Sequence, residues 1–242
     1  MPPDVSEAFL NGLRRLNVNS NGQDHIIEQL VLYRRELLDW NTRMNLTAIT
    51  DPDEVLIKHF LDSLSLLLAF DREQARMLDI GSGAGFPGIP LKIVRPQWQV
   101  TLLEATGKRI NFLRHVIAVL QLDGIEVVQG RAEEIGRKDP YRAAFDLVTA
   151  RAVAALPVLL EYCAPFCCVN GTILLPKKGQ IADELIKGKR AANQLGAVLG
   201  ASVTVDLPGL TDDRRLLAWK QRKVCPERFP RSGAAIAKHA LA

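Results

Sequence analysis

At 242 residues the chain can bury a full core, as one large domain or as a domain with a helical extension. Its 48% hydrophobic and 24% charged residues are those of an ordinary globular protein, and no run approaches the roughly 20 apolar residues of a membrane-spanning helix, so none is expected. The net charge of +4 is too small to establish a nucleic-acid partner and is compatible with one where the cations cluster.

The first residues, with Asp4 and Glu7, lack the basic region and apolar run of a signal peptide, so a cytoplasmic location is expected. From Met1 to about Gly22 the stretch is polar, and Phe9, Leu10, Leu13 and Leu16 suit a short amphipathic helix. Between Gln23 and Trp40, Ile26, Ile27, Leu30, Tyr33, Leu37 and Leu38 recur at helical spacing with Glu28, Arg34, Arg35 and Asp39 opposite, the pattern of a packing helix. Asn41 to Thr47 breaks it, because Asn and Thr side chains bond neighbouring backbone in turns. Asp51, Pro52, Asp53 and Glu54 then supply a cap, a first-turn proline and first-turn acids for a helix whose core face is Val55, Leu56, Phe60, Leu64, Leu67 and Leu68. His59 and Asp62 lie three apart on it, followed by Ser63. A nucleophilic serine sits on a sharp turn, and no G-x-S-x-G occurs, so these three read as a hydrogen-bonded junction or a wall of the site rather than a triad.

A polar linker from Asp71 leads into the strand Met77 to Ile80, and from there strands and helices alternate. After a helix at Ile89 to Val94 come a strand at Gln99 to Leu103, a helix at Lys108 to Leu120, a strand at Ile125 to Gln129 and a strand at Phe145 to Arg151. A helix around Leu156 to Phe166, a strand at Gly171 to Leu175 and a helix at Ala182 to Leu199 follow. The last strands, Ser202 to Leu207 and Arg215 to Lys220, have no helix between them and are therefore antiparallel. This predicts a doubly wound α/β fold with an antiparallel edge. Cys163, Cys167 and Cys168 fall on or beside a helix and, with Cys225, form no metal-ligand set, so reduced thiols and no metal are expected. The tail from Gln221 carries Arg222, Lys223, Arg228, Arg231, Lys238 and His239 against one acid, Glu227, and reads as solvated or as a phosphate contact.

The chemistry gathers at Asp79-Ile80-Gly81-Ser82-Gly83-Ala84-Gly85-Phe86, where three glycines in five positions let a ligand approach the backbone at the end of a strand. A dinucleotide fingerprint needs glycine at 86, where Phe86 stands, and Asp79 repels a pyrophosphate, so S-adenosylmethionine is favoured over a nicotinamide cofactor. In an open α/β sheet, ligands bind beyond the carboxyl ends of the strands. Glu104, about 20 residues beyond the glycines, is placed to accept hydrogen bonds from both ribose hydroxyls. Ala132 and Glu133 border an adenine, and Arg151 and Lys178 bring positive charge to the mouth. No Asn/Asp-Pro-Pro-aromatic run follows the fourth strand and no cysteine ends the fourth or fifth, which argues against adenine N6 and pyrimidine chemistry. A small-molecule or protein methyltransferase and a cofactor-sensing RNA-binding module remain open on these residues.

The run Leu78 to Pro90, with its Phe86-Pro87-Gly88-Ile89-Pro90 continuation, resembles the RsmG (glucose-inhibited division protein B) family of bacterial ribosomal RNA methyltransferases. In order along the chain, Asn45-Leu46-Thr47, His59-Phe60-Leu61-Asp62-Ser63, Gly107-Lys108-Arg109, Arg131-Ala132-Glu133-Glu134, Thr149-Ala150-Arg151-Ala152 and Lys178-Gly179 also match it; Ala234 and Ala235 depart from its more usual proline-containing ending. The resemblance implies a class I (Rossmann-like) S-adenosylmethionine-dependent methyltransferase fold, with a mostly parallel seven-stranded sheet, an antiparallel edge and an N-terminal helical extension. It divides the chain into an extension (1–71), a cofactor-binding domain (72–222) and a basic tail (223–242). It implies methylation of N7 of a guanine in the decoding-region loop of 16S ribosomal RNA, on naked RNA or an assembling 30S subunit. Gly81, Gly83, Phe86, Glu104, Ala132, Glu133 and Arg151 would bind the cofactor, with Arg151 and Lys178 positioning the reactants and no certain catalytic side chain. Lys108, Arg109, Arg114, Lys177 and Lys178 would hold RNA phosphates. A monomer is expected, for want of an interface pattern.

Overall fold

The structure, a computed structural model, describes residues 5–18, 23–151 and 154–241; Asp4 and Ala152 of the motifs above lie outside them. Five parallel strands, β1 (Arg76–Ile80), β2 (Gln99–Glu104), β3 (Ile125–Gln129), β4 (Phe145–Ala150) and β5 (Cys167–Lys178), are joined by two further strands, β6 (Ala197–Thr204) and β7 (Arg214–Gln221). The sheet order is β3-β2-β1-β4-β5-β7-β6, with β7 antiparallel to both neighbours. The chain leaves β1 toward β2 and β3, then returns to β4 on its other side. That reversal opens a crevice at the carboxyl ends of β1 and β4, the place where such sheets bind ligands.

Neighbouring strand residues point to opposite faces, so Met77, Leu102, Leu147 and Leu216 enter one core while Leu78, Leu103, Val148 and Leu217 enter the other. The first core is covered by α1 (Glu7–Arg15), α2 (Gln23–Asn41), a helical stretch over 52–68, α5 (Gly88–Val94) and α6 (Gly107–Val119). The second lies under α7 (Ala132–Ile135), α8 (Leu156–Cys163) and α9 (Ala182–Leu195). The 52–68 stretch starts as expected, with Asp51 Oδ1 accepting from the Glu54 N–H at 2.9 Å. It runs through α3 (Pro52–Val55), a π-helical turn (Leu56–Leu61), α4 (Asp62–Leu64) and a 3-10 turn (Ser65–Leu68). The change of pitch leaves Leu68 39% exposed rather than on the core face.

Several boundaries differ from the sequence reading, among them that of the strand expected at Ser202 to Leu207, which ends at Thr204. α9 stops at Leu195 because Gly196 takes the left-handed conformation (φ 82°), and the apolar run Ala197-Val198-Leu199 continues as strand β6 rather than helix. α8 ends at Cys163 rather than Phe166. β5 begins at Cys167, four residues before Gly171, so Cys167 and Cys168 lie on a strand; Asn170 at φ 66° and a register shift against β4 explain why this part reads as a turn. The tail is only partly solvated: Arg222, Lys223, Arg228, Lys238 and His239 are exposed, while Cys225, Phe229 and Leu241 are buried in the second core, Ile236 is buried as well, and a last helix, α10 (Gly233–Lys238), is capped by Ser232.

Candidate active site

The loop after β1 is pinned from both sides. The N–H groups of Gly81 and Ser82 donate to the Leu103 carbonyl at 2.8 and 3.2 Å. The Gly83 N–H donates to Glu104 Oε2 at 2.9 Å, while the other carboxylate oxygen accepts from Thr106 N–H at 2.8 Å. Glu104, 3% exposed, therefore ties the glycine loop to the start of α6, with Arg109 Nη1 3.8 Å away, and each oxygen keeps a second acceptor position. Gly83 and Gly85 are both at positive φ, for different reasons. A Cβ at Gly83 would meet nothing closer than the Gly81 carbonyl at 3.8 Å, so open space lies above it. At Gly85 a Cβ would strike Ile89 and the Tyr33 hydroxyl at 2.5 and 2.6 Å.

Asp79 lies beneath this loop instead of facing a ligand. Its Oδ2 accepts from the Gly88 N–H at 3.0 Å at the start of α5, and its Oδ1 is buried without a partner among the described residues. Burial pushes its carboxyl up to about 7, held back by the Gly88 hydrogen bond and by Arg151. The Tyr33 hydroxyl of α2 donates to the Ala84 carbonyl, and its ring stacks on Phe60 and Phe86 at 5.0 and 5.4 Å between centroids. On its other contacts, Phe86 stacks on His59 at 4.7 Å and lies 5.1 Å from the Arg151 guanidinium carbon.

The His59–Asp62–Ser63 cluster is a junction, and His59 is also a wall of the site. The Ser63 hydroxyl donates to the His59 carbonyl, so it is bound into its own helix. His59 Nε2 pairs with Thr47 Oγ1 at 2.6 Å, and burial first, then Arg151, lowers its imidazole to about 4, leaving it neutral. Asp62 accepts from Arg151 Nη1 at 3.0 Å and from Arg214 of β7. Arg214 also binds Asp212, which holds Lys178 at 3.1 Å; Arg214 and then Lys178 keep the Asp212 carboxyl at about 2.

Gly81, Gly83, Phe86, Glu104, Ala132, Glu133 and Arg151 all line one cleft of about 530 Å³, together with Thr47, His59, Arg109 and Tyr162. This is within the usual size of a cofactor site. A second cavity of about 250 Å³ adjoins it, lined by Asp62, Lys177, Lys178, Arg214 and apolar Ala154, Leu159 and Leu216; among the described residues, Arg151 alone lines both. Lys108 and Arg114 are exposed on α6, whereas Lys177 is mostly buried and paired with Glu184 at 2.7 Å. Sequence reasoning missed Tyr33, Tyr162 and Arg214. Tyr33 and Tyr162 carry only the apolar spacing of packing helices, and Arg214 stands at the start of a strand distant in sequence.

Residues 26–208 match the family model described as GidB: rRNA small subunit methyltransferase G. The chain belongs to this family. A GidB relative, ribosomal RNA small subunit methyltransferase G of Dehalococcoides mccartyi (strain CBDB1), is 43% identical over 230 residues, which are 95% of this chain and 97% of the relative. The protein of the same name from Roseiflexus sp. (strain RS-1) is 49% identical over 184 residues, 76% of this chain and 79% of its own. Among solved structures, precorrin-6y C5,15-methyltransferase from Geobacter metallireducens GS-15 superposes with a TM-score of 0.50 at 17% identity, covering 67% of this chain and 87% of that one. M. jannaschii TYW2 in complex with AdoMet gives 0.51 at 16% identity over 63% and 71%. The GidB chain therefore has the class I (Rossmann-like) methyltransferase fold expected of it, with the helical extension on one face of the sheet. Among the described residues no helix is long and apolar enough to cross a membrane.

Proposed function

We propose that the chain transfers a methyl group from S-adenosylmethionine to N7 of a guanine in the decoding-region loop of 16S ribosomal RNA, on naked RNA or on the assembling 30S subunit. The observation that carries this reading is the convergence of Gly81, Gly83, Phe86, Glu104, Ala132, Glu133 and Arg151 on one cleft that shares Arg151 with a second cavity. The residues fit the cofactor: Gly83 has open space above it, and Glu104 keeps acceptor positions for the two ribose hydroxyls. Bound there, S-adenosylmethionine supplies a methyl group on a positively charged sulfur.

In this reading Ala132 and Glu133 border the adenine, and Phe86 forms the wall opposite. Guanine N7 presents a lone pair and no proton, so no side chain has to act as a base. Holding the reactants is then the main task, and positioning is worth about 7–11 kcal/mol in the best cases. Arg151, fixed between the Phe86 ring and Asp62, touches both sites, and the second cavity accepts a base swung out of its stack. Lys178 completes the mouth, and Lys108, Arg109, Arg114 and Lys177 join it in holding phosphates. Residues 72–222 carry the cofactor, 1–71 form the extension that braces it and 223–242 the basic tail; the protein acts as a cytoplasmic monomer.

Mass spectrometry of small-subunit RNA from cells with and without the gene tests this. Loss of one 7-methylguanosine, restored by the wild type and not by Glu104→Ala, is the expected result. An unchanged modification profile would overturn it.

A further inference from the structure

The basic tail is a packed strap across the second core. Arg231 closes a fork on Glu161 of α8, with Nε donating to Oε1 at 2.8 Å and Nη2 to Oε2 at 2.6 Å, and its own backbone N–H adds a third bond at 2.9 Å. Glu161 is 0% exposed, so these bonds hold a carboxylate that would otherwise be buried unpaired. Arg142 donates to the carbonyls of Cys225, Pro226 and Phe229, and Arg137 to that of Pro230, which ties the strap to the segment following α7. α7 carries Ala132 and Glu133, and Tyr162 follows Glu161; all three line the large cleft.

The strap reaches the lining of the cleft at Gly233, behind Glu133. A Cβ there would lie 2.4 Å from Glu133 Oε1 and 3.2 Å from Glu133 Cδ, with Glu133 supplying the nearest atoms. Glu133 is thus seated on the bare Cα of Gly233 on one side. On the other it is near enough to Tyr162 to help raise that phenol, after burial.

We propose that the C-terminal strap, residues 228–241, backs the cofactor cleft from behind its lining, with Gly233 a positioning residue that gives the Glu133 carboxylate its seat beside the adenine site. This deepens the reading of the cleft as an S-adenosylmethionine site and rests on it. A methyl group at 233 evicts the carboxylate. Because the displaced atom ends a flexible side chain, the eviction costs the fold little while moving a group of the site.

Calorimetric titration of the full-length protein with S-adenosylhomocysteine tests the proposal in a cycle of wild type, Gly233→Ala, Glu133→Ala and the double variant. Gly233→Ala is expected to weaken binding about three- to tenfold, the size of one hydrogen bond, with an unchanged unfolding temperature. In the Glu133→Ala background the same change should have no further effect, since the group it moves is gone. Wild-type affinity in Gly233→Ala, or an equal loss in both backgrounds, overturns the role of the strap alone. A wild-type protein that binds no S-adenosylhomocysteine overturns the cofactor reading, and the proposal with it.

Discussion

The guanidinium of Arg151 donates from Nη1 to Oδ2 of Asp62 at 3.0 Å, and the same carboxylate accepts from Arg214. Asp62 thus balances two cations at the partition between the two cavities, with side-chain exposures of 10% for Asp62, 17% for Arg151 and 5% for Arg214. Removing one member of a buried ionic cluster strands its partners, so Asp62→Asn is expected to cost about 3 kcal/mol of stability. Released from Asp62, Arg151 loses its fixed place over Phe86, and kcat should fall by more than cofactor affinity does. Urea unfolding together with single-turnover methyl transfer checks both.

Two buried groups titrate in opposite senses. Asp79 is raised from 3.8 to about 7, so the folded state holds a proton the unfolded chain has released, and this contribution fades as pH climbs from about 4 through 7. His59 is lowered from 6.5 to about 4, so its contribution is complete above 6.5 and is lost as pH falls through 4. In the wild type the two slopes largely cancel between those limits. Asp79→Asn should expose the His59 slope, with stability rising from pH 4 to 6.5. His59→Gln should expose the other, with stability falling from pH 4 to 7. Urea unfolding across that range, where one group contributes a slope of at most about 1.4 kcal/mol per pH unit, decides it.

The fork between Arg231 and Glu161 is expected to behave as a buried pair. Arg231→Met alone leaves a carboxylate with 0% exposure without its counter-ion, held only by the backbone N–H of residue 231, and should cost about 3 kcal/mol. Adding Glu161→Leu should recover most of the loss, since an apolar pair of similar volume needs no counter-ion. Denaturant unfolding of both variants reads this out.

Contacts to RNA phosphate appear in the salt dependence of binding. Lys108→Ala and Arg114→Ala should each lower the slope of log affinity against log salt by about 1 if the side chain neutralises a phosphate. Lys177→Ala should change it less, because Glu184 at 2.7 Å already neutralises this amine. Filter binding of small-subunit RNA across a salt series separates the three.

The glycine loop, the strand ends and the antiparallel edge were legible because each rests on local sequence: glycines that take positive φ at Gly83 and Gly85, short apolar runs buried almost throughout in β1 and β2, two last strands with no helix between them, and Glu104, Arg151 and Lys178 where strands end. What escaped depends on partners far along the chain. Tyr33 reads as a packing residue, and nothing near it announces the Ala84 carbonyl 51 positions away. Arg214 meets Asp62 across 152 positions. The exposed cations of the tail were legible in its composition, but the few residues that anchor it, Cys225, Phe229 and Ile236, follow no period. The overlong helix at 182–199 follows from alanine and leucine favouring helix until Gly196 ends it.

Tyr33 also sets the order in which the molecule can be finished. Its hydroxyl and ring brace Ala84 and Phe86, so the extension is not an appendage that a shorter gene could shed or a chimera could exchange. As the chain leaves the ribosome, α2 emerges with its aromatic face uncovered and must wait for about fifty further residues before the loop it supports exists.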